Sequence, residues 1–496
     1  MDIDRDLIKQ IVAQVVRQQL AGTSEGQGRI RESVPVDVDR DGIFTEVDDA
    51  VAAARAAFKA WQNVSLEVKA RCIEEMRAVS RAEARNMAHL AAAETGLGRA
   101  EDKVKKNLLQ ANKTPGLEDL QPRVFTGDRG MSLVENSPFG VIVSITPTTN
   151  PVATIINNGI SMLSGGNAVV FNPHPRAKGC CTKMIQLLNR AIVKAGGPNN
   201  LLTAVAEPTL QTSDALMHHK NVRCLVVTGG PGVVSAALKS GKKTIAAGPG
   251  NPPVVVDDTA PVKNAAKHIV AGSSFDNNVM CTCEKEVFVV ESQFDALKQA
   301  LVENGCYLLN QRQLDLLTNV IFPPPPVGET KLKLNADLVG QHASHIAKTI
   351  GLDLPVETRL LIAETEFEHP LVMKEQMMPV LPLVRCRSVE EAIERAVVAE
   401  GERYHTAVIH SLNIDHLSDM AKVMNANIFV KNGPNFAGLG FGGEGSTTMT
   451  IAGTTGEGIT TARTFTRERR CALIDHFRIL WGKTDEGTDR SRPRRV

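Results

Sequence analysis

Cys281 lies in the segment Asp276-Asn277-Asn278-Val279-Met280-Cys281-Thr282-Cys283-Glu284-Lys285-Glu286. It follows a turn-prone Asn pair and precedes Glu286-Val287-Phe288-Val289-Val290, which reads as a strand. A loop that ends at a strand holds a thiol rigidly at the edge of a cleft. Where the surroundings favour the thiolate, such a thiol is a nucleophile near neutral pH. The alternative for any lone cysteine is a buried structural thiol. Cys283 would share the side of Cys281 on an extended segment, where it either shields or traps Cys281 or stays inert; the inert role is expected. Cys281-x-Cys283 has no second His/Cys pair nearby, so no metal site is expected.

The elements that must position this thiol follow from the hydrophobic pattern. Residues 45–113 read as helical, with a capping box at Thr45 and Asp48, a second helix from near Ser65 and a third over 101–110. Residues 122–136 alternate around Gly127-Asp128-Arg129-Gly130 and read as a β-hairpin. From Gly140 the pattern becomes strand, turn, helix, repeated. Strands are expected at 141–145, 168–171, 201–205, 222–227, 244–247 and 254–256; helices are expected at 151–163, 180–195, 262–271, 292–303, 389–399 and 418–425. Apolar strands alternating with helices imply parallel, doubly wound sheets, with ligands at the carboxyl ends of the strands. Thr228-Gly229-Gly230-Pro231-Gly232 follows one strand, but no G-x-G-x-x-G follows the first, so this cluster alone is a weak phosphate signal. Four prolines at 323–326 form a rigid break, and 433–458, rich in Gly, Ser and Thr, reads as ordered loops lining a site.

Bulk properties narrow the function classes. The 496 residues are 43% hydrophobic and 22% charged with a net charge of +1, which fits two or three globular domains. A near-neutral charge lends no support to nucleic-acid binding, and no apolar run approaches the ~20 residues of a membrane span. Nine scattered cysteines with no secretory signal before them point to reduced thiols in a cytosolic setting. Residues 1–20 carry Ile3, Leu7, Ile8, Ile11, Val12, Val15 and Val16 at helical spacing, an amphipathic helix joined to the body by a Gly/Ser-type linker over 21–40. It either docks on its own domain or presents its apolar stripe to a partner groove.

Five segments, in order, resemble the aldehyde dehydrogenase superfamily: Thr146-Pro147-Thr148-Thr149-Asn150-Pro151, Val227-Thr228-Gly229-Gly230, Ala247-Gly248-Pro249-Gly250-Asn251-Pro252-Pro253, the Asn-Asn-x-x-Cys around Cys281, and Glu375-Gln376-Met377-Met378-Pro379-Val380. The chain is most similar to the CoA-acylating branch, the acetaldehyde/propionaldehyde dehydrogenases of bacterial microcompartments. That resemblance implies an α/β fold of two doubly wound parallel-sheet domains and a β-hairpin oligomerisation arm. It divides the chain into a docking helix (1–20), a linker (21–40), a nucleotide-binding domain (41–121 and 140–250), an arm (122–139 and 460–496) and a catalytic domain (251–459). Cys281 would attack the aldehyde carbonyl, and Asn150 and the Cys281 N–H would donate to the oxyanion. A helix N-cap role explains Asn150 equally well, and both can hold. Thr146, Pro147, Thr148, Asn172, Pro173, His174, Thr228, Gly229, Gly230, Val233, Ala247, Gly248 and Pro249 would line the cofactor site, and Glu375 would hold the nicotinamide ribose. For Glu375 the plainer alternative is a solvated surface carboxylate.

Two departures from the hydrolytic branch matter. Where hydrolytic members carry a glutamate that activates water, this chain has Ala247. Without a general base water is a poor nucleophile, whereas a thiol such as CoA needs less help. At Asn172-Pro173-His174-Pro175-Arg176 the Lys and Glu that bind the adenosine ribose in many relatives are missing. NAD is expected and NADP stays open; His174, Arg176 and Lys178 either neutralise phosphates or form a solvated basic turn. The implied partners are a short aldehyde, CoA, a microcompartment shell protein through residues 1–20, and further copies of the chain as a dimer or tetramer. The implied location is the bacterial cytoplasm, inside a microcompartment. A hydrolytic or acyl-phosphate-reducing relative, or a catalytically silent shell cargo, are the alternatives.

Overall fold

The structure is a computed structural model that describes residues 34–38, 41–325, 332–477 and 479. The amphipathic stretch 1–20, most of the linker 21–40 and the end of the proline run lie outside the described residues. In chain order the first elements are β1 (Ile43–Phe44), α1 (Val47–Gln62), α2 (Leu66–Ala82), α3 (Ala84–Thr95), α4 (Ala100–Lys113), β2 (Arg123–Gly127) and β3 (Gly130–Pro138). There follow β4 (Val141–Thr146), α5 (Pro151–Ser164), β5 (Ala168–Pro173), α6 (Lys178–Lys194), β6 (Leu202–Val205), α7 (Leu210–His218), β7 (Val222–Thr228), α8 (Pro231–Lys239) and β8 (Lys243–Ala247). Next come β9 (Pro253–Val256), α9 (Val262–Ser273), β10 (Glu286–Val290), α10 (Glu291–Glu303), β11 (Cys306–Leu308), α11 (Gln311–Ile321), α12 (Ala343–Lys348), β12 (Leu360–Glu364) and α13 (Pro370–Met373). The last are β13 (Val380–Cys386), α14 (Val389–Glu400), β14 (Thr406–His410), α15 (Ile414–Met424), β15 (Ile428–Lys431), β16 (Ile451–Ala452), β17 (Gly458–Ile459) and β18 (Thr466–Ile474).

The strands form two large parallel sheets, ordered β1-β6-β5-β4-β7-β8 and β11-β12-β13-β10-β9-β14-β15. All six residues of β4, Val-Ile-Val-Ser-Ile-Thr, are buried, as a strand covered on both faces requires. In β9 the period of two is visible in the packing. Val254 and Val256 enter one apolar cluster and Val255 enters another on the opposite face. The expected hairpin forms as β2 and β3, and β18 joins it along nine paired residues from Thr466 opposite Pro138 to Ile474 opposite Gly130. This antiparallel sheet is weakly covered: every residue of β2 is exposed, Val124 and Phe125 among them.

Two local expectations are corrected. Thr45 and Asp48 form no capping box, because the first helix begins one residue later, with Glu46 at its N-cap and no side-chain bond there. Residues 84–95, which carried no separate helix in the sequence reading, form α3, ended by Gly96 in the left-handed region at φ 69°. A glycine accepts that conformation without a Cβ penalty.

Candidate active site

The strand order places the motif residues together. β4 and β7 are neighbours, yet the chain leaves β4 toward β5 and β6 and leaves β7 toward β8, in opposite directions across the sheet. A crevice opens at such a switch point outside the carboxyl ends of the strands. Thr146 ends β4, Thr228 ends β7 and Ala247 ends β8. The second sheet meets this crevice with the opposite ends of its strands: Gly250 leads into β9 and Cys281 leads into β10.

Cys281 sits in a turn rather than on an extended segment. That corrects the expected placement of Cys283. Its thiol turns into the core, contacts the carbonyl of Phe275 at 3.7 Å and is fully buried, in keeping with the inert role. Cys281 itself is partly exposed. Its loop is held in an unusual conformation, with Asp276, Asn277 and Asn278 at φ 49°, 53° and 64°. Non-glycine residues in this region cost about 1 kcal/mol each, and here their side chains are all engaged. Asp276 accepts from the Arg99 N–H at 2.6 Å, from Lys103 at 2.9 Å and from Lys106. Asn277 accepts from Arg99 Nε at 2.7 Å and donates to the Gly340 carbonyl at 2.9 Å. Asn278 donates to the carbonyls of Ser273 and Glu284 at 2.7 and 2.9 Å. The buried Lys285 donates to the carbonyls of Asn278 and Met280 at 3.0 and 3.2 Å, holding the loop from below.

Gly250 shows how tightly this loop is seated. A Cβ there would stand 2.5 Å from the Cys281 carbonyl oxygen and 3.0 Å from Cγ of His405. The loop carbonyl and the His405 ring thus press against one backbone position. His405 is 2% exposed, its Nδ1 pairs with Thr406 Oγ1 at 2.9 Å, and its Nε2 has no partner. Burial, and secondarily the Lys285 charge, lower its pKa to about 4, so the ring is neutral at pH 7. Burial raises the Cys281 thiol to about 12. Glu375 pushes the same way, and Lys285 and Lys106 oppose it. Cys281 therefore rests as a thiol and would need a proton acceptor to act as a nucleophile. Glu375 accepts from the Gly250 N–H, and burial raises its own pKa.

Asn150 occupies the N-cap position of α5 at φ −132°, but its side chain does not cap the helix. The amide is held instead by Lys106 Nζ, which donates to Oδ1 at 2.6 Å, leaving Nδ2 to face Thr149 Oγ1 at 3.3 Å. One Nδ2 hydrogen is given to Thr149, and the other remains available to donate. Lys103, Lys106 and His405 were not singled out from sequence. No signal could have found the lysines: on α4 they share a buried face with Asp102, Asn107 and Gln110, where an apolar stripe would be expected.

The cofactor-side residues meet one test of fit. α8 begins at Gly230 with no side-chain cap, so its first N–H groups are open to an anion. A Cβ on Gly230 would meet nothing within 4 Å, and one on Gly229 would meet only Val233. Thr146 Oγ1 and Thr148 Oγ1 are buried without partners beside this crevice, while Thr228 Oγ1 reaches Thr450 at 3.3 Å. Pro147 and Thr148 lie between β4 and Asn150. Pro249 lies between Gly248 and Gly250, and a Cβ on Gly248 would stand 2.9 Å from Thr454 Oγ1. Asn172 and Pro173 are the last residues of β5, and Asn172 is committed to α7: it donates to Ser213 at 2.7 Å and accepts from Thr212 at 3.0 Å. The basic residues are also engaged. His174 Nδ1 accepts from the Arg176 N–H, Arg176 donates to the Thr95 carbonyl, and Lys178 pairs with Glu207. A cavity of about 340 Å³ lined by Glu364, Arg385 and Arg387 includes no motif residue, being at the carboxyl ends of the second sheet. No helix among the described residues is long and apolar enough to cross a membrane.

The chain is similar to proteins of known activity. It is 50% identical to the acetylating acetaldehyde dehydrogenase EutE of Salmonella typhimurium over 88% of this chain and 94% of that protein. Among solved structures, a propionaldehyde dehydrogenase from the Clostridium phytofermentans fucose utilisation bacterial microcompartment matches at TM-score 0.86 and 44% identity, covering 88% of this chain and all of the other. A Rhodopseudomonas palustris propionaldehyde dehydrogenase with bound CoA and an acylated cysteine matches at TM-score 0.84 and 44% identity, over 88% and 98% of the two chains. Residues 40–314, more than half of the chain, match the aldehyde dehydrogenase family, and the chain belongs to that family.

Proposed function

We propose that this chain oxidises a short aliphatic aldehyde, propanal or acetaldehyde, with NAD⁺ (or NADP⁺) and CoA, yielding acyl-CoA and NADH through a thioester on Cys281. It is a CoA-acylating aldehyde dehydrogenase, as are the relatives it resembles over nearly their whole length. The observation that carries the reading is the pair Cys281 and Ala247. A nucleophilic thiol stands at the switch-point crevice, and a methyl group stands where a water-activating carboxylate would be.

The chemistry follows from the residues. As Cys281 Sγ adds to the carbonyl carbon its proton must leave, and the neutral His405 ring offers a free Nε2 for it. The Asn150 amide and the Cys281 N–H donate to the oxyanion, each donor being worth roughly 3 kcal/mol of transition-state stabilisation. Bound NAD⁺ supplies the acceptor for the hydride that leaves the resulting thiohemiacetal carbon. Thr228, Gly229, Gly230 and Val233 would hold its phosphates at the start of α8, with Thr146, Pro147, Thr148, Gly248 and Pro249 around it and Glu375 toward its ribose. The thioester left on Cys281 then meets a thiol co-substrate. With Ala247 in place of an acid, no group there activates water, and transfer to sulfur prevails.

The residues of the first sheet serve nucleotide binding, those of the second catalysis, and β2, β3 and β18 pair copies of the chain. The exposed apolar side chains Val124, Phe125 and Ile474 on that arm support the last role, in a homodimer or homotetramer. Residues 1–20 dock the enzyme on a microcompartment shell in the bacterial cytoplasm, a reading supported by the microcompartment origin of a relative.

The direct test is NADH production from propanal with and without CoA. Cys281→Ala abolishes it, and wild-type enzyme deprived of CoA accumulates acylated Cys281. Full CoA-dependent activity in Cys281→Ala would overturn the assignment. Removal of residues 1–20 should end co-localisation with shell protein while leaving activity in solution intact; retained co-localisation would remove the docking role.

A further inference from the structure

Two lysines sit at 3% and 2% exposure beside the candidate oxyanion donor, and no part of the proposed chemistry uses them. Lys103 and Lys106 lie one turn apart on α4, and both donate to the same carboxylate oxygen of the fully buried Asp276. Lys106 has three donors. One reaches Asp276, one reaches Asn150 Oδ1 at 2.6 Å, and the third is directed at the Thr149 carbonyl at 3.5 Å. An ammonium carries no acceptor, so it decides which way the amide faces. Oδ1 must point at Lys106, and Nδ2 must point away from it.

We infer that Lys106 is the positioning residue that fixes the Asn150 amide so that the Nδ2–H not given to Thr149 faces the reacting carbonyl, and that Asp276 ties this amide to the nucleophile loop. The inference rests on the reading of Cys281 as nucleophile and Asn150 as oxyanion donor. Three physical points support it. A hydrogen bond from a cation polarises the amide and strengthens its N–H as a donor, since hydrogen bonds in a low-dielectric chain reinforce one another. The two lysines outnumber the one carboxylate they share, so the cluster presents net positive charge beside the site where negative charge develops. Asp276 opens the run of left-handed residues that leads to Cys281, so a single carboxylate fixes both the loop and the cation that aims the amide. A cavity of about 10 Å³, room for about one water, lies among Lys103, Lys106, Asn150 and Pro151. Burial lowers the Lys106 pKa to about 8, while Asp276 holds it up, so the ammonium is the main form at neutral pH.

The test measures the burst of NADH from propanal without CoA, beside the rate at which iodoacetamide alkylates Cys281. Alkylation needs the thiol but develops no oxyanion. Lys106→Met should slow the burst by about 10- to 100-fold, a part of the ~10²–10³ expected for loss of the donor itself. Alkylation should fall by clearly less than the burst, since Lys106 contributes only the smallest of the charges that lower the Cys281 pKa. Lys106→Gln, which keeps a donor for Oδ1, should recover part of the loss. In an Asn150→Ala background Lys106→Met should cost no more than about twofold further, because the group it acts through is gone. A full-sized loss that persists in that background, or alkylation falling in step with the burst, would overturn the positioning role. A wild-type burst from Asn150→Ala alone would instead sink the oxyanion reading of Asn150.

Discussion

Gly250→Ala places a methyl group where the nucleophile loop rests. The new Cβ would stand 2.5 Å from the Cys281 carbonyl oxygen and 3.0 and 3.2 Å from two atoms of the His405 ring. Ordinary contact begins near 3.4 Å, so the carbonyl must retreat by about 0.9 Å, and the imidazole by a few tenths. Neither neighbour yields easily. The loop is pinned by Lys285 at the carbonyls of Asn278 and Met280 and by Asp276 at three donors. Overpacking of this kind costs about 1–3 kcal/mol of stability. The larger effect falls on chemistry. The Cys281 N–H moves with its loop, and a misplacement of about 1 Å in a catalytic group lowers the rate by about 10²-fold. The assay is the CoA-free NADH burst with propanal, accompanied by thermal unfolding to check that the protein remains folded. A burst rate within about twofold of wild type in a folded variant would refute the reasoning, because the loop would then not depend on the missing Cβ.

Ala247→Glu should shift the products from propanoyl-CoA toward free propanoate, measured as the ratio of the two at saturating CoA; an unchanged ratio would undercut the role given to the missing base. Asp276→Asn leaves Lys103 and Lys106 buried without their counter-charge and should cost about 3–5 kcal/mol in chemical denaturation. Its pH dependence has a definite sign. The folded Lys106 pKa is already lowered from 10.5 to about 8, so the unfolded chain binds more protons between those values and stability rises with pH across that window. The variant should widen the window downward and recover stability as pH rises; a deficit independent of pH from 7 to 10 would contradict the pairing.

Residue types and spacing were enough to read the alternating βα pattern and the hairpin; for Cys281 they left a nucleophile and a buried structural thiol both open, and the family resemblance chose between them. The strands at 141–146, 222–228 and 286–290 are mostly apolar, broken only at Ser144, Thr146, Arg223, Thr228 and Glu286, a density that suits strands covered on both faces. Cys281 stood out because an Asn pair, a thiol and a strand follow one another, and Ala247 only against the family pattern, where a missing carboxylate changes which nucleophile would finish the reaction. Tertiary structure decided the rest. Lys106 is 44 residues from Asn150 and 170 from Asp276, so no local pattern links them. His405 reaches the Cys281 loop only because β14 lies next to β9 and brings its first residues beside Gly250. The side of Cys283 turned on whether its segment was extended or a turn, which depended on side-chain bonds from Arg99 and Lys103, distant in sequence, and from Lys285 at the end of the segment. Sequence therefore determined which groups could react, because reactivity resides in residue types. The fold decided their protonation and aim, because burial and long-range hydrogen bonds set both.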